Sequence, residues 1–378
     1  PRTADEAHPS AGPASHGGHG AWGQLTRTPI VVSPPLEFVS PEWGRELGQD
    51  EWFFPAAMSP QDVDAFLSAV GVTAEHRDRL RRTIRPEPRI RGFVITPEAD
   101  VVRALSPEVR AKLYLQLGKT TLNFDQANPF RFYASSPGDS LNGSLISDTT
   151  RRELESLLYR DGPYLHFADP ELVLAGVSDP SERQRIAKVL ARQSALLVTL
   201  TVHESSEVAG LAEYWGRGGR RTDVRPLLES LAATNPEQPL DIVHLLPSFA
   251  RDRLYRFPRP STSDYDKPLL ANCLWTSLNF FAVEPNDRYL DVNVALEALR
   301  NHYTVIQSNY QLGDILGMVD EEGNLFHPAV YLADDLVFTK NGTSPIAPWT
   351  IMPIQHLRDY YRLQSENPRL IYHRRNDM

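Results

Sequence analysis

A single cysteine, Cys273, occurs in 378 residues. An intramolecular disulfide is therefore excluded, and packing and hydrogen bonds alone must hold the fold. Nor does any apolar run approach the roughly 18 residues that a membrane helix needs. The best candidate, Ala195 to Val202, is far shorter and is interrupted by Thr199 and Thr201, so it reads as buried core. A long basic run is absent as well, and the formal net charge is −9. Sequence-independent binding to nucleic acid needs clustered Lys and Arg, so no nucleic-acid partner is expected. One basic cluster does occur: Arg217, Arg220 and Arg221, followed at once by Asp223. It reads as a solvated loop ahead of a phosphate site. With Pro1 as the first residue, the rarity of cysteine gives the expectation of an exported protein, periplasmic or extracellular, whose leader has been removed. A cytoplasmic location is the alternative.

What is present is an ordinary globular composition, 41% hydrophobic and 23% charged. The length suggests two domains. Residues 1 to 35 are rich in Pro, Gly, Ser and His without apolar periodicity, and are expected to be a disordered tail. His8, His16 and His19 lie in that flexible stretch without an acidic partner, so metal binding there is disfavoured. Residues 36 to 257 are expected to form a mainly α-helical domain of unknown role. Ser59-Pro60-Gln61-Asp62 and Ser106-Pro107-Glu108 are helix starts, each with a capping Ser and a Pro suited to the first turn. A long helical pattern covers Pro180 to Val202, and shorter ones cover Val224 to Ala233 and Leu245 to Tyr255. His203-Glu204 lacks the second His of a metalloprotease helix. Asp241 and His244 lack a third ligand. The aromatic segments Glu51 to Pro55, Pro163 to Phe167 and Tyr214 to Gly216 read as core.

Phe257-Pro258-Arg259-Pro260-Ser261 is a linker by composition. Residues 262 to 378 then read as α+β. Leu269 to Phe281 and Asp291 to Tyr303 are helical patterns. Asp314 to Val319, Leu325 to Leu332, Leu336 to Thr339 and Arg369 to His373 are strands, the first three joined by tight turns. Cys273 follows Asn272 near the start of the first helix, where unpaired backbone N–H groups and the positive helix end favour a thiolate. His327 lies near the start of the second strand, sharing a face with Ala329 and Tyr331. Pro328 cannot donate to a ladder, which predicts a bulge or an edge there.

Three segments in order carry a resemblance: Asn272-Cys273-Leu274-Trp275, Leu312-Gly313-Asp314-Ile315-Leu316, and His327-Pro328-Ala329-Val330-Tyr331-Leu332-Ala333-Asp334-Asp335. Together they resemble the NlpC-type family of papain-like cell-wall peptidases, over the last third of the chain. The resemblance implies a papain-like domain with a Cys-bearing helix packed on an antiparallel sheet. It implies a cysteine hydrolase, an amidase or peptidase acting on a peptide or amide substrate such as peptidoglycan. His327 would take the proton of Cys273 and the thiolate would attack a carbonyl to form an acyl-enzyme. No metal or organic cofactor is needed. The third polar residue that orients the histidine falls on Thr339, with Asn341 as the alternative, and Tyr265 is the candidate for an oxyanion site. Asn272, Leu274 and Thr339 depart from the family pattern. Two alternatives therefore stand: an inactive binding module on the same fold, and a thiol acyltransferase or deacylase.

Overall fold

The computed structural model describes residues 15–39, 50–55, 57–88, 90–133, 136–202, 207–234, 238–258, 270–344 and 346–378. The chain forms two compact units. One unites residues 1–34 with 193–378, and the other is residues 35–192. Both mix helices with antiparallel strands, so the class is α+β. The expected boundary at 257 is corrected: residues 193–257 belong with the C-terminal sheet.

The described residues open with β1 (Ser15–Gly20) and β2 (Gly23–Val32), where a disordered tail was expected; residues 1–14, the rest of that stretch, lie outside the described residues. Leu25, Ile30, Val31 and Val32 supply β-forming side chains, and the partner strand comes from far along the chain. Among the described residues β1 pairs only as far as Arg27, so no described strand meets the missing N–H of Pro29 on that side of β2. His8 lies outside the described residues.

The second unit runs β3 (Trp52–Phe54), α1 (Pro60–Val70), α2 (Ala74–Arg82), β4 (Arg85–Glu87), β5 (Gly92–Ile95), α3 (Ala99–Arg103), α4 (Pro107–Leu117), α5 (Phe124–Ala127) and β6 (Phe130–Tyr133). It continues with α6 (Pro137–Leu141), α7 (Asp148–Leu157), β7 (Tyr159–Asp161), β8 (Tyr164–Phe167), α8 (Pro170–Ala175) and α9 (Pro180–Leu190). Its strands form two three-stranded sheets, β3-β5-β4 and β6-β8-β7. Ser59 and Ser106 cap α1 and α4 as their sequences require, Ser59 and Asp62 forming a reciprocal capping box. In the core, Arg110 is fully buried with Nε 3.2 Å from Asp169, and Tyr114 donates its hydroxyl proton to the same carboxylate. Arg110 also donates to the Val102 carbonyl at 2.6 Å. The guanidinium is thus paired and hydrogen-bonded, as a buried charge must be.

The chain returns to the first unit through β9 (Gln193–Thr201), α10 (Val208–Trp215), α11 (Arg221–Thr234), β10 (Leu240–Asp241) and α12 (Ser248–Arg253). The helix expected over Pro180 to Val202 therefore ends at Leu190. Beyond it, Leu196, Val198 and Leu200 alternate inward as a strand between β2 and β10. Next come α13 (Cys273–Leu278), α14 (Val292–His302), β11 (Tyr303–Ile306), β12 (Ile315–Val319), β13 (Leu325–Ala333) and β14 (Leu336–Lys340). The chain closes with β15 (Trp349–Pro353), α15 (Ile354–Tyr360) and β16 (Arg369–Arg375). These strands make one antiparallel sheet, ordered β11-β16-β12-β13-β14-β15.

This sheet is covered on both faces. On one, Val330, Leu332, Phe338 and Ile351 share a core with Trp215, Phe249 and Trp275. On the other, Leu316, Met318, Ala329, Tyr331, Val337 and Met352 pack with Leu357 and Tyr361. The β1–β2 hairpin is pinned to this sheet: Arg27 pairs with Asp334 and Asp335, and Asp334 accepts the Gly18 N–H at 2.7 Å. Asp334 takes a positive φ of 56°, which a turn Asp tolerates. Among the described residues, no helix is long and apolar enough to cross a membrane.

Candidate active site

Cys273 is the first residue of α13. Asn272 caps the helix, its side-chain oxygen accepting the Trp275 N–H at 2.8 Å. Thr276, one turn on, accepts a hydrogen bond from the Trp349 indole at 3.0 Å. Trp349 is paired with Lys340 across β14 and β15, so α13 lies over the sheet face that carries Phe338 and Lys340. Cys273 and Lys340 are close enough for each to bias the other's ionisation. Lys340 is fully buried, and its Nζ donates to the carbonyls of Gly342 at 2.9 Å and Ser344 at 3.0 Å.

Burial dominates both groups. It pushes the Cys273 thiol up to about 11, against the pull of its own N–H, the Leu274 N–H and Lys340. It pushes Lys340 down to about 7, with Cys273 opposing. Burial disfavours whichever form is charged, so between about pH 7 and pH 11 the thiol and the amine are both neutral.

His327 stands elsewhere. Its Nε2 is 2.9 Å from Thr339 Oγ1, and the Thr339 hydroxyl is 3.4 Å from Asn341 Oδ1. A Thr339 proton given to Asn341 leaves Oγ1 to accept from the ring, which assigns the proton to Nε2. The ring stacks on Tyr361 with centroids 4.2 Å apart. His327 is buried, and desolvation takes its pKa down to about 3, so the ring is neutral at ordinary pH.

Thr339 thus stands beside His327, and Asn341 reaches the ring only through Thr339. Cys273 does not. Strand alternation sends 327, 329, 337 and 339 to the face covered by α15, and 328, 338 and 340 to the face covered by α13. The space expected at Ala329 for the Cys helix is filled by the α15 cluster instead. Pro328 pairs with Gly317 on β12 and lies beyond the β13–β14 ladder, which begins at Val330, so its missing N–H has no partner to disappoint there. Tyr265 lies outside the described residues. Lys340 escaped the sequence reading, although the signal was there: it continues the Leu336–Phe338 alternation on a face that must be core.

Comparison with family models, curated proteins and solved structures found no match.

Proposed function

We propose that the C-terminal sheet carries a thiol-dependent hydrolase in which Lys340, rather than His327, takes the proton of Cys273. The reading rests on one observation, a half-buried thiol at the start of α13 lying over the sheet face that carries the buried Lys340 amine, within its electrostatic reach. A neutral Lys340 has two N–H bonds, which match its two carbonyl acceptors, and one lone pair left for a proton. Transfer from Sγ to Nζ gives a thiolate and an ammonium. The thiolate attacks an amide or ester carbonyl, the N–H groups of Cys273 and Leu274 lie at the nucleophile, and Lys340 returns the proton to the leaving group. Water then cleaves the thioester. The substrate class is an acyl compound, with cell-wall peptides as the family resemblance suggests.

A second reading, an inactive binding module, is favoured by the raised thiol pKa and by His327 facing the side of the sheet opposite to α13. One experiment separates them. Hydrolysis of a panel of nitrophenyl esters and peptide amides is followed for the native protein, Cys273→Ala and Lys340→Met, beside the rate of iodoacetamide labelling. Activity lost in both variants, with a thiol that labels in the folded state, supports the enzyme. Labelling only after unfolding, or activity retained by Cys273→Ala, rejects it.

A further inference from the structure

The basic loop between α10 and α11 does not serve as a plain solvated connector. Its three arginines divide by role. Arg220 turns inward and caps carbonyls, donating to Leu245 at 2.9 Å and Trp215 at 2.6 Å. Arg221 pairs with Glu213 at 2.9 Å. Arg217 is half-buried, and among the described residues its guanidinium has no hydrogen-bond partner. Its strongest carboxylate influence is Asp314, but Asp314 is already occupied by Arg374 at 2.7 and 2.9 Å and by the Gln311 N–H at 2.7 Å.

Arg217 lines a cleft of about 670 Å³, together with Arg221 and Arg375. Two carboxylates, Glu213 and Asp377, share the lining, and each is paired with one of the other two arginines. Among the described residues, Arg217 is thus the lining arginine that no side-chain carboxylate pairs with. The loop backbone is held for close approach. Gly218 has a φ of 73°, and a Cβ there would meet the Phe281 ring at 2.4 Å; Gly219 has a φ of 78° with open space around it. A side chain at either position is disfavoured by the conformation itself.

We propose that this cleft binds a small molecule through a carboxylate or phosphate oxyanion held by Arg217. A planar guanidinium offers two parallel N–H donors that fit either group. The site is separate from the Cys273 centre and does not depend on it.

The test is titration of the full chain with acetate and with orthophosphate at low ionic strength, followed by calorimetry, with sodium chloride at matched ionic strength as control. Saturable binding of one probe is expected, and the tighter probe names the oxyanion. Arg217→Gln should weaken it about tenfold or more, since a charge-assisted pair is lost. Arg217→Lys should fall between the two, keeping charge without the fork. Arg225→Gln, on the exposed face of α11, should leave binding unchanged. Circular dichroism checks that the variants are folded, and Arg221→Gln, expected to weaken binding less, serves if Arg217→Gln is not. Binding of neither probe, equal effects of chloride, or equal affinity in a folded Arg217→Gln would overturn the proposal.

Discussion

Thr339 and Lys340 are neighbours in β14 whose side chains leave the strand in opposite directions, Thr339 toward His327 and Lys340 toward Cys273. Two polar constellations thus back onto one sheet. Their separation makes the roles of Lys340 and His327 distinguishable by single substitutions.

Lys340→Met removes the positive influence that holds the Cys273 thiol down. The thiol pKa should rise further, and alkylation by iodoacetamide at pH 7 should slow by less than about tenfold, since Lys340 is the weakest of the influences on the thiol and only half charged there. The measurement is the labelling rate against pH. An unchanged profile would show that the two groups do not communicate.

His327→Ala should behave as a packing and hydrogen-bond defect, costing about 3 kcal/mol in denaturant unfolding while leaving the Cys273 labelling profile in place. A matching loss of thiol reactivity would instead tie His327 to the nucleophile.

The acid limb of stability should also report His327. Its folded pKa, about 3, lies below the ordinary value of 6.5. Above pH 6.5 the ring is neutral in both states and its contribution is intact. As pH falls from 6.5 toward 3 only the unfolded chain takes up the proton, so stability drops by up to about 1.4 kcal/mol per pH unit. His327→Gln should flatten that limb in urea titrations between pH 6.5 and 4.

In the second unit, Asp169→Ala would strand the buried Arg110 guanidinium and leave the Tyr114 hydroxyl without its acceptor. The expected cost is about 3–5 kcal/mol, read as a lower denaturant midpoint for that unit. Replacing both Arg110 and Asp169 with apolar residues should recover part of the loss.

Gly313→Ala tests the packing behind α13. Gly313 has a φ of 90°, and an added Cβ would fall 2.0 Å from Phe281 Cε2. About 3 kcal/mol of destabilisation is expected from the strain and the clash together, seen as a lower Tm.

Local signals in the sequence carried far. Ser59 and Ser106 announce α1 and α4 because a capping hydroxyl followed by Pro leaves the backbone few other choices. The alternation in Leu325 to Leu332 and Leu336 to Thr339 gives β13 and β14, each one residue short, for the same kind of reason. Partnership over long range was not legible. Gly23–Val32 becomes a strand because β9 lies beside it, with 160 positions between Val32 and its partner Gln193 excluded from any local window. The site failed at a similar point. Alternation correctly groups His327 with Thr339 and Asn341, but which face the Cys helix covers is decided by Trp275, Thr276 and Trp349, and no spacing encodes that. Lys340 becomes visible as a candidate only once its face is known to be closed.

The pairing of Val32 with Gln193 has a topological corollary. Cross-strand partners stand about 5 Å apart, so the chain leaves for residues 35–192 and comes back through almost the same point. That whole stretch is in effect a guest inserted at the tip of a hairpin. A two-residue Asn-Gly turn in its place would join β2 to β9 as an ordinary hairpin without rethreading the host.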